Sequence, residues 1–342
     1  MSDARMTALV VSKPNCFEVR EVARPVPGQD EALVRVRYSA ICGSDLKLIR
    51  GGMEDIVFPL IPGHEWSGEV VEAPRAFRHL IGRPVVSDIL QACGTCEECA
   101  RGCRNLCSAL TEPGISVDGA YAQYVLVKAK QLYALPATLQ MERACMVEPL
   151  CVVLYALERL ALEGGERVLI FGGGAIGQLL AQVVRLAGAS RVVLVDHHDE
   201  RLDVARQLGV DMVINPRKID LKECLSDHPE LKPDLVFEAS GSASAFGYCL
   251  DVVRPGGRVG VIGYAGRDKV AIEPAIFMRK LLQVRGVLSP MGSWERAIDL
   301  LANRTVCVDT LLTHRFPLMR FAEGFNLAAH RADGAVRVVI EP

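Results

Sequence analysis

The 342-residue chain is predicted to be an α/β protein of two domains, one β-rich and one built on a doubly wound parallel sheet. Its length exceeds that of one ordinary compact domain, and a composition that is 50% apolar supplies enough material for two cores. Its texture also changes near Leu154. Before that point short alternating runs are punctuated by Gly and Pro, and after it apolar strands alternate with runs of helical period.

In the first third, Ala32–Ser39, Trp66–Glu72 and Val85–Leu90 read as short strands of a small barrel or sandwich. Beyond Leu154, Arg167–Phe171 is an apolar strand, Ala175–Ala187 a helix ending at Gly188, and Arg191–Val195 the next strand. Arg201–Leu208 is a helix closed by Gly209. Asp234–Phe237 and Arg258–Ile262 are later strands, the second entered through the turn Pro255-Gly256-Gly257. Strands separated by helices imply a parallel sheet covered on both faces. From Ser289 onward, helices over Ser293–Ala302 and Met319–His330 and a strand over Val336–Ile340 are expected to return to the first domain. The expected division is therefore 1–151 with 287–342 for one domain and 152–286 for the other.

A net charge of −2 offers no basic surplus of the kind that binds a phosphate backbone, so nucleic acid is not an expected partner. Met1–Asn15 lack the pattern of a secretory signal, and no apolar run reaches the roughly 18 residues of a bilayer span. A cytoplasmic protein with no membrane partner is expected. Five of the twelve cysteines, Cys93, Cys96, Cys99, Cys103 and Cys107, fall within fifteen positions, which in a cytosolic setting points to metal thiolates before disulfides.

Gly172-Gly173-Gly174-Ala175-Ile176-Gly177 fits the Gly-x-Gly-x-x-Gly fingerprint and lies between a predicted strand and a predicted helix. Gly172 permits the tight turn, Gly174 a close backbone approach to a pyrophosphate, and Gly177 close packing of helix on strand, as in a Rossmann domain. The N–H groups of the helix start at Ala175 and Ile176 then face the anion. Asp196 follows Gly177 by 19 residues, where a carboxylate accepts from the ribose hydroxyls and repels a 2′-phosphate. NAD is the expected cofactor. Arg201, His197 and His198 are cations close enough in sequence to offset that repulsion, which leaves NADP open.

Cys93, Cys96, Cys99 and Cys107 offer four thiolates in one loop, the donor set of a closed structural zinc site. An iron–sulfur cluster would have a different spacing. Cys103 lies inside the lobe as a bystander. Cys42, His64, Glu65 and Glu148 add one soft, one borderline and two hard donors, a set that can hold a second, catalytic zinc with a position open for substrate.

Taken in order along nearly the whole chain, Cys42-Gly43-Ser44-Asp45, Gly63-His64-Glu65, the four-cysteine lobe, Val147-Glu148-Pro149 and the glycine fingerprint resemble the medium-chain zinc-containing alcohol dehydrogenase family. The resemblance implies a GroES-like catalytic domain wrapped around the Rossmann domain, two zinc ions per subunit, NAD-linked oxidation of an alcohol, and a homodimer or homotetramer paired through the edge strand near Leu281–Leu288. A glutamate at 148 looks like the sorbitol and threonine dehydrogenase branch. There the resemblance implies zinc contacts from Cys42, His64 and Glu65, with Glu148 binding directly or through a water; which glutamate is inner-sphere stays open. Ser44 would take the substrate proton. The family often places a histidine five residues after the first cysteine as the next proton relay, and here Lys47 stands there, either facing substrate or solvated at the surface. Arg337 matches a family position that reaches the cofactor pyrophosphate.

Gly63-His64-Glu65-Trp66-Ser67-Gly68, Asp118-Gly119-Ala120 with Tyr124, and Arg331-Ala332-Asp333-Gly334 look most like the 2-deoxy-scyllo-inosamine dehydrogenases of aminoglycoside antibiotic biosynthesis. That resemblance implies oxidation of one ring hydroxyl of an aminocyclitol to a ketone. Trp66, Glu112 and Asp118 are the expected neighbours of its ammonium group. An open-chain polyol, a sugar acid or L-threonine is the alternative substrate. A non-catalytic NAD-binding module is the alternative of a different class; its signature would be a lost ligand, and every ligand is present.

Overall fold

The ten-residue strand Glu31–Ala40 organises the first half of the protein because it pairs with three other strands. In the computed structural model, which describes residues 4–342, the sheet runs in the order Leu312–Pro317, Arg337–Glu341, Glu31–Ala40, Glu65–Glu72, Pro84–Ser87, Leu132–Ala134, with Tyr124–Lys128 also paired to Glu31–Ala40. The pairings are antiparallel except for Leu312–Pro317 on Arg337–Glu341. Register shifts at Leu33/Val34 and Val36/Tyr38 let one strand serve several partners by adding local twist. At its far end Ala40 lies opposite Glu65 on one side and Val339 on the other. Three strand ends thus meet where the chain leaves Ala40 for Cys42.

The chain divides into two units, one comprising residues up to Cys151 together with Ser289–Pro342, the other Val152–Leu288. In the first, Val34, Val36, Trp66, Val70, Val85 and Val125 form one core and Leu9, Ile41, Leu48, Tyr121, Phe321 and Val338 another. A hairpin of Arg5–Lys13 and Cys16–Ala23, not foreseen from the sequence, supplies Leu9 and Val11 to the second core. The expected strand over Val85–Leu90 ends at Ser87, because Gln91 turns away to bridge Thr111 and close the cysteine lobe.

In the second unit six parallel strands take the order Met212–Ile214, Arg191–Val195, Arg167–Phe171, Leu235–Glu238, Arg258–Val261, Gln283–Gly286. In chain order this is 3-2-1-4-5-6, the doubly wound arrangement whose direction reverses between its first and fourth strands. The glycine fingerprint leaves the first strand at that switch point. Its helix, Ala175–Leu186, buries Leu179, Leu180, Val183 and Val184. The next helix, Asp199–Gln207, begins two residues earlier than expected, and Asp199 and Glu200 in its first turn complement the helix dipole. Among the described residues no helix is long and apolar enough to cross a membrane.

Candidate metal centres and dinucleotide loop

Cys42 caps the helix Gly43–Ile49, and the first turn of that helix builds half of the site. Asp45, at its third position, reaches back so that Oδ2 accepts the Cys42 backbone N–H at 2.8 Å. The same oxygen accepts the Tyr121 hydroxyl at 2.6 Å, while Oδ1 lies 3.3 Å from His64 Nδ1. The two atoms are at ion-pair distance without an aligned hydrogen bond. With Nδ1 facing this buried carboxylate, Nε2 is the nitrogen left to meet a metal, as in carboxylate–histidine arrangements that orient the ring. Ser44 Oγ is 3.4 Å from that Nε2.

His64 and Glu65 are delivered by a loop that tolerates no side chain at its glycines. Gly63 has φ +100, and a Cβ on Gly114 would stand 2.2 Å from the Gly63 carbonyl oxygen. Backbone bonds from Gly119, Ala120 and Tyr121 to the carbonyls of Ile61, Gly63 and Pro62 fix it further. The result is a Cys42, His64 and Glu65 cluster whose ligand atoms all lie within 4.8 Å of one another. His64 is 5% exposed and Glu65 not at all.

Burial lifts Glu65 well above the usual carboxylate range against the pull of Arg337, and Cys42 and Glu148 push it further. Arg337 Nη1 is 2.9 Å from Glu65 Oε2, yet neither Glu65 oxygen has a hydrogen-bond partner, so the pair is close in charge but poorly aligned as a bond. An unbonded buried carboxylate is costly, and a cation among the Cys42, His64 and Glu65 atoms would complete it. One thiolate, one imidazole and one carboxylate are a donor set that fits zinc. Burial raises the Cys42 thiol, but the His64 hydrogen bond and charge outweigh it and bring the group down to about 6. Burial opposes a charge on His64, and Asp45 reverses that, leaving it raised.

Glu148, at the start of the helix Val147–Leu160, is buried near these groups but lies outside the three-residue cluster; burial pushes it up to about 8. Trp66 is not a substrate neighbour. It sits on the opposite face of its strand from Glu65, 3% exposed, in the core with Val34, Val36 and Val70. Asp118 spends Oδ1 on the Ile61 backbone N–H at 2.9 Å, a structural bond. Arg337, expected at a pyrophosphate, is 4% exposed, donates to the Ile41 carbonyl at 2.8 Å and faces Glu65. These partners differ from the expected one because its strand starts beside the Ala40 end, under the cluster. Lys47 is half-buried on the helix Gly43–Ile49. Asp45 and Tyr121 were missed as site residues; the signal for Asp45 was an acid three positions after a cysteine at a helix start.

Cys93, Cys96, Cys99 and Cys107 form the second cluster, again with sulfurs within 4.8 Å. Backbone N–H groups of Thr95 and Cys96 donate to Cys93 Sγ, and those of Cys93 and Ala109 to Cys107 Sγ, at 3.3–3.4 Å. Such donors favour thiolates, and with the Thr95 amide leading they bring Cys93 down to about 6. Cys103 stands outside this cluster, its Sγ 4.0 Å from the Arg101 carbonyl.

In the dinucleotide loop Gly172 has φ +103, and a Cβ on Gly177 would fall 1.7 Å from the Gly172 oxygen. Only glycine fits at either position. Gly174 caps the helix beginning at Ala175 and Ile176, so the first helical N–H groups are presented there. Asp196 Oδ2 accepts the Gly173 N–H at 2.7 Å and Oδ1 that of His198 at 2.8 Å, which ties the acidic residue to the loop. Arg201 is buried beside the same loop, its guanidinium near Gly174.

This fold with these clusters defines a metal-dependent dehydrogenase, and the chain belongs to the zinc-binding alcohol dehydrogenase family of oxidoreductases. Residues 28–137 match the alcohol dehydrogenase GroES-like domain and residues 175–303 the zinc-binding dehydrogenase domain. A sorbitol dehydrogenase of Halalkalibacterium halodurans is 30% identical over 331 residues, covering 95% of this chain and 96% of its own length. The rspB alcohol dehydrogenase of Escherichia coli CFT073, solved with NADH, superposes with a TM-score of 0.92 at 25% identity, covering 99% of this chain and 100% of its own. A zinc-binding dehydrogenase of Sinorhizobium meliloti 1021, solved with NADP, does so at 0.93 and 32% identity with the same coverage.

Proposed function

We propose that the protein oxidises a secondary hydroxyl of a polyol-class substrate to a ketone and passes the hydride to NAD. The observation that carries this reading is the buried Glu65 carboxylate without hydrogen bonds, gathered with Cys42 and His64 around a common centre. Zinc bound there would lower the pKa of an approaching alcohol toward neutrality. The chain's own part is to set the Asp45 carboxylate against His64 Nδ1 and to offer Ser44 Oγ, beside His64 Nε2, as the first acceptor of the alcohol proton. Arg337, 2.9 Å from Glu65 Oε2, favours the charged carboxylate against the larger opposing effect of burial, which a bound cation would offset. Glu148, buried and outside the three-residue cluster, would serve as a fourth ligand directly or through a water, and Cys93, Cys96, Cys99 and Cys107 would hold a structural zinc.

NAD is favoured over NADP because Asp196 is fixed at the loop, where its charge opposes a 2′-phosphate. Arg201 is the counterweight, and the NADP-bound relative makes both cofactors necessary in the assay. Within the polyol class the finer reading is a cyclitol or aminocyclitol of the 2-deoxy-scyllo-inosamine type; open-chain polyols, sugar acids and L-threonine use the same residues. Subunits would pair through the edge strand Gln283–Gly286, which is exposed together with Met278, Leu281 and Leu288. A screen of NADH and NADPH formation with aminocyclitols, inositols, open-chain polyols, sugar acids and threonine tests all of this. Turnover of a polyol with NAD is expected; activity confined to threonine would remove the polyol reading, and no turnover by the zinc-replete protein would remove the function.

A further inference from the structure

Of three acidic or aromatic residues that the sequence offers near the site, Trp66 lies in the core and Asp118 supports a backbone turn. Glu112 is different. It follows Thr111, whose pairing with Gln91 closes the cysteine lobe, with amide–carbonyl distances of 2.9 and 3.3 Å. Its backbone is locked: the carbonyl accepts from Ile115 and Ser116 at 3.0 and 2.9 Å, and the N–H donates to Ser116 Oγ at 2.8 Å. On its half-buried side chain, Oε1 accepts the Ser289 hydroxyl at 2.9 Å, and among the described residues no Lys or Arg pairs with the carboxylate. Two residues further on, Gly114 packs on the loop that delivers His64, where a Cβ would stand 2.2 Å from the Gly63 carbonyl oxygen and 2.9 Å from the His64 amide nitrogen. Burial raises the Glu112 carboxyl, and the Ser289 hydroxyl and His64 pull it back.

We propose that Glu112 selects the substrate by charge, its free carboxylate oxygen accepting an ammonium or hydroxyl substituent carried by the skeleton whose carbinol is oxidised, and that it turns away carboxylate and phosphate substrates. The proposal rests on the function proposed above and narrows it. A rigid, half-buried carboxylate with one hydroxyl partner and no cation retains acceptor capacity, and its field is less screened than at an open surface. Repulsion of an anionic competitor adds discrimination that attraction alone does not supply. Ser289 is a positioning residue, since its hydroxyl holds Oε1 and leaves Oε2 to the substrate.

The test compares the zinc-loaded protein with its Glu112→Gln and Ser289→Ala variants on three probes, 2-deoxy-scyllo-inosamine, scyllo-inositol and gluconate. Both kcat/KM and calorimetric binding to the enzyme–NADH complex are measured. In Glu112→Gln the amine is expected to lose roughly 10- to 100-fold, mainly in KM and in binding, the size of one charge-assisted hydrogen bond. The neutral cyclitol should lose only a few-fold, and gluconate should gain. Ser289→Ala should reproduce the amine's loss in weaker form. Equal changes for amine, cyclitol and acid, within about threefold in both readouts, would overturn the proposal. If the parent turns over none of the three, the function falls on its own; the binding ratios still decide Glu112, because they need no turnover.

Discussion

The two cysteine-bearing clusters of this protein are built in opposite ways. Cys93, Cys96, Cys99 and Cys107 come from one loop of fifteen positions, graded from an exposed Cys93 to a buried Cys107, with backbone amides as the main support of the thiolates. Cys42, His64 and Glu65 come from a helix cap and a strand start more than twenty residues apart, with Cys42 half-buried and the other two buried, and are supported by Asp45, Tyr121 and Arg337. Where a hydrophobic core is lacking, a metal must supply the folding energy. Where a core exists, the scaffold can hold the ligands ready, and the metal serves chemistry. The lobe should therefore fail in stability, the buried cluster in rate.

The largest effect is expected from Cys42→Ser or His64→Ala. Either should lower kcat/KM for any secondary alcohol by about a thousandfold or more, since one substitution removes both a ligand and the order of the rest. Thermal denaturation should move by only a few degrees. Cys99→Ser in the lobe should do the reverse, lowering the melting temperature by roughly 10 °C while the fraction that stays folded turns over at near-parent kcat. A lobe variant with an unchanged melting curve and a thousandfold slower kcat would break the contrast.

This difference in construction also decided what could be read in advance. The lobe was legible because its ligands are spaced by local geometry alone, and so was the glycine loop, where Gly172 and Gly177 have no room for a Cβ. Two central strands, Arg167–Phe171 and Arg191–Val195, were found at their bounds because a fully buried parallel strand is a continuous apolar run, whereas Leu235–Glu238 was expected one residue early and Met212–Ile214 not at all. The buried cluster was legible in its ligands but not in its supports. Nothing in local spacing says that Tyr121 meets Asp45 or that Arg337 meets Glu65, since both contacts depend on which strands become neighbours. The hairpin Arg5–Lys13 with Cys16–Ala23 escaped for a related reason: its second strand is mostly exposed and mixes charged with apolar residues.

Asp45 tests the support directly. Asp45→Asn keeps the shape and the Cys42 cap but weakens the hold on His64 Nδ1, and a loss of about 10- to 100-fold in metal affinity or activity is expected. The electrostatics add a pH dependence. With the His64 pKa raised by Asp45 against burial, a proton competes with the ion for that ring. Affinity at this centre should thus climb with pH, by up to about tenfold per unit for each proton displaced until His64 titrates, and should fall on acidification. Competition with a chelator between pH 6 and 8 measures it. A flat profile would mean that His64 is already neutral without metal.

The smallest effect belongs to Cys103, which shares the lobe with the four clustered sulfurs yet faces the Arg101 carbonyl at 4.0 Å. If ligation followed mere presence in a cysteine-rich loop, Cys103→Ser would cost as much as Cys99→Ser. If it follows the convergence of sulfurs and amide donors, Cys103→Ser should leave two zinc ions per chain and a melting temperature within about 1 °C of the parent, because a half-buried thiol outside the cluster gives up only a weak contact. Elemental analysis and a melting curve decide between them. Loss of one zinc in this variant would show that the lobe selects its ligands by exchange among five thiols, and that its stability is less tied to one geometry than that of the buried cluster.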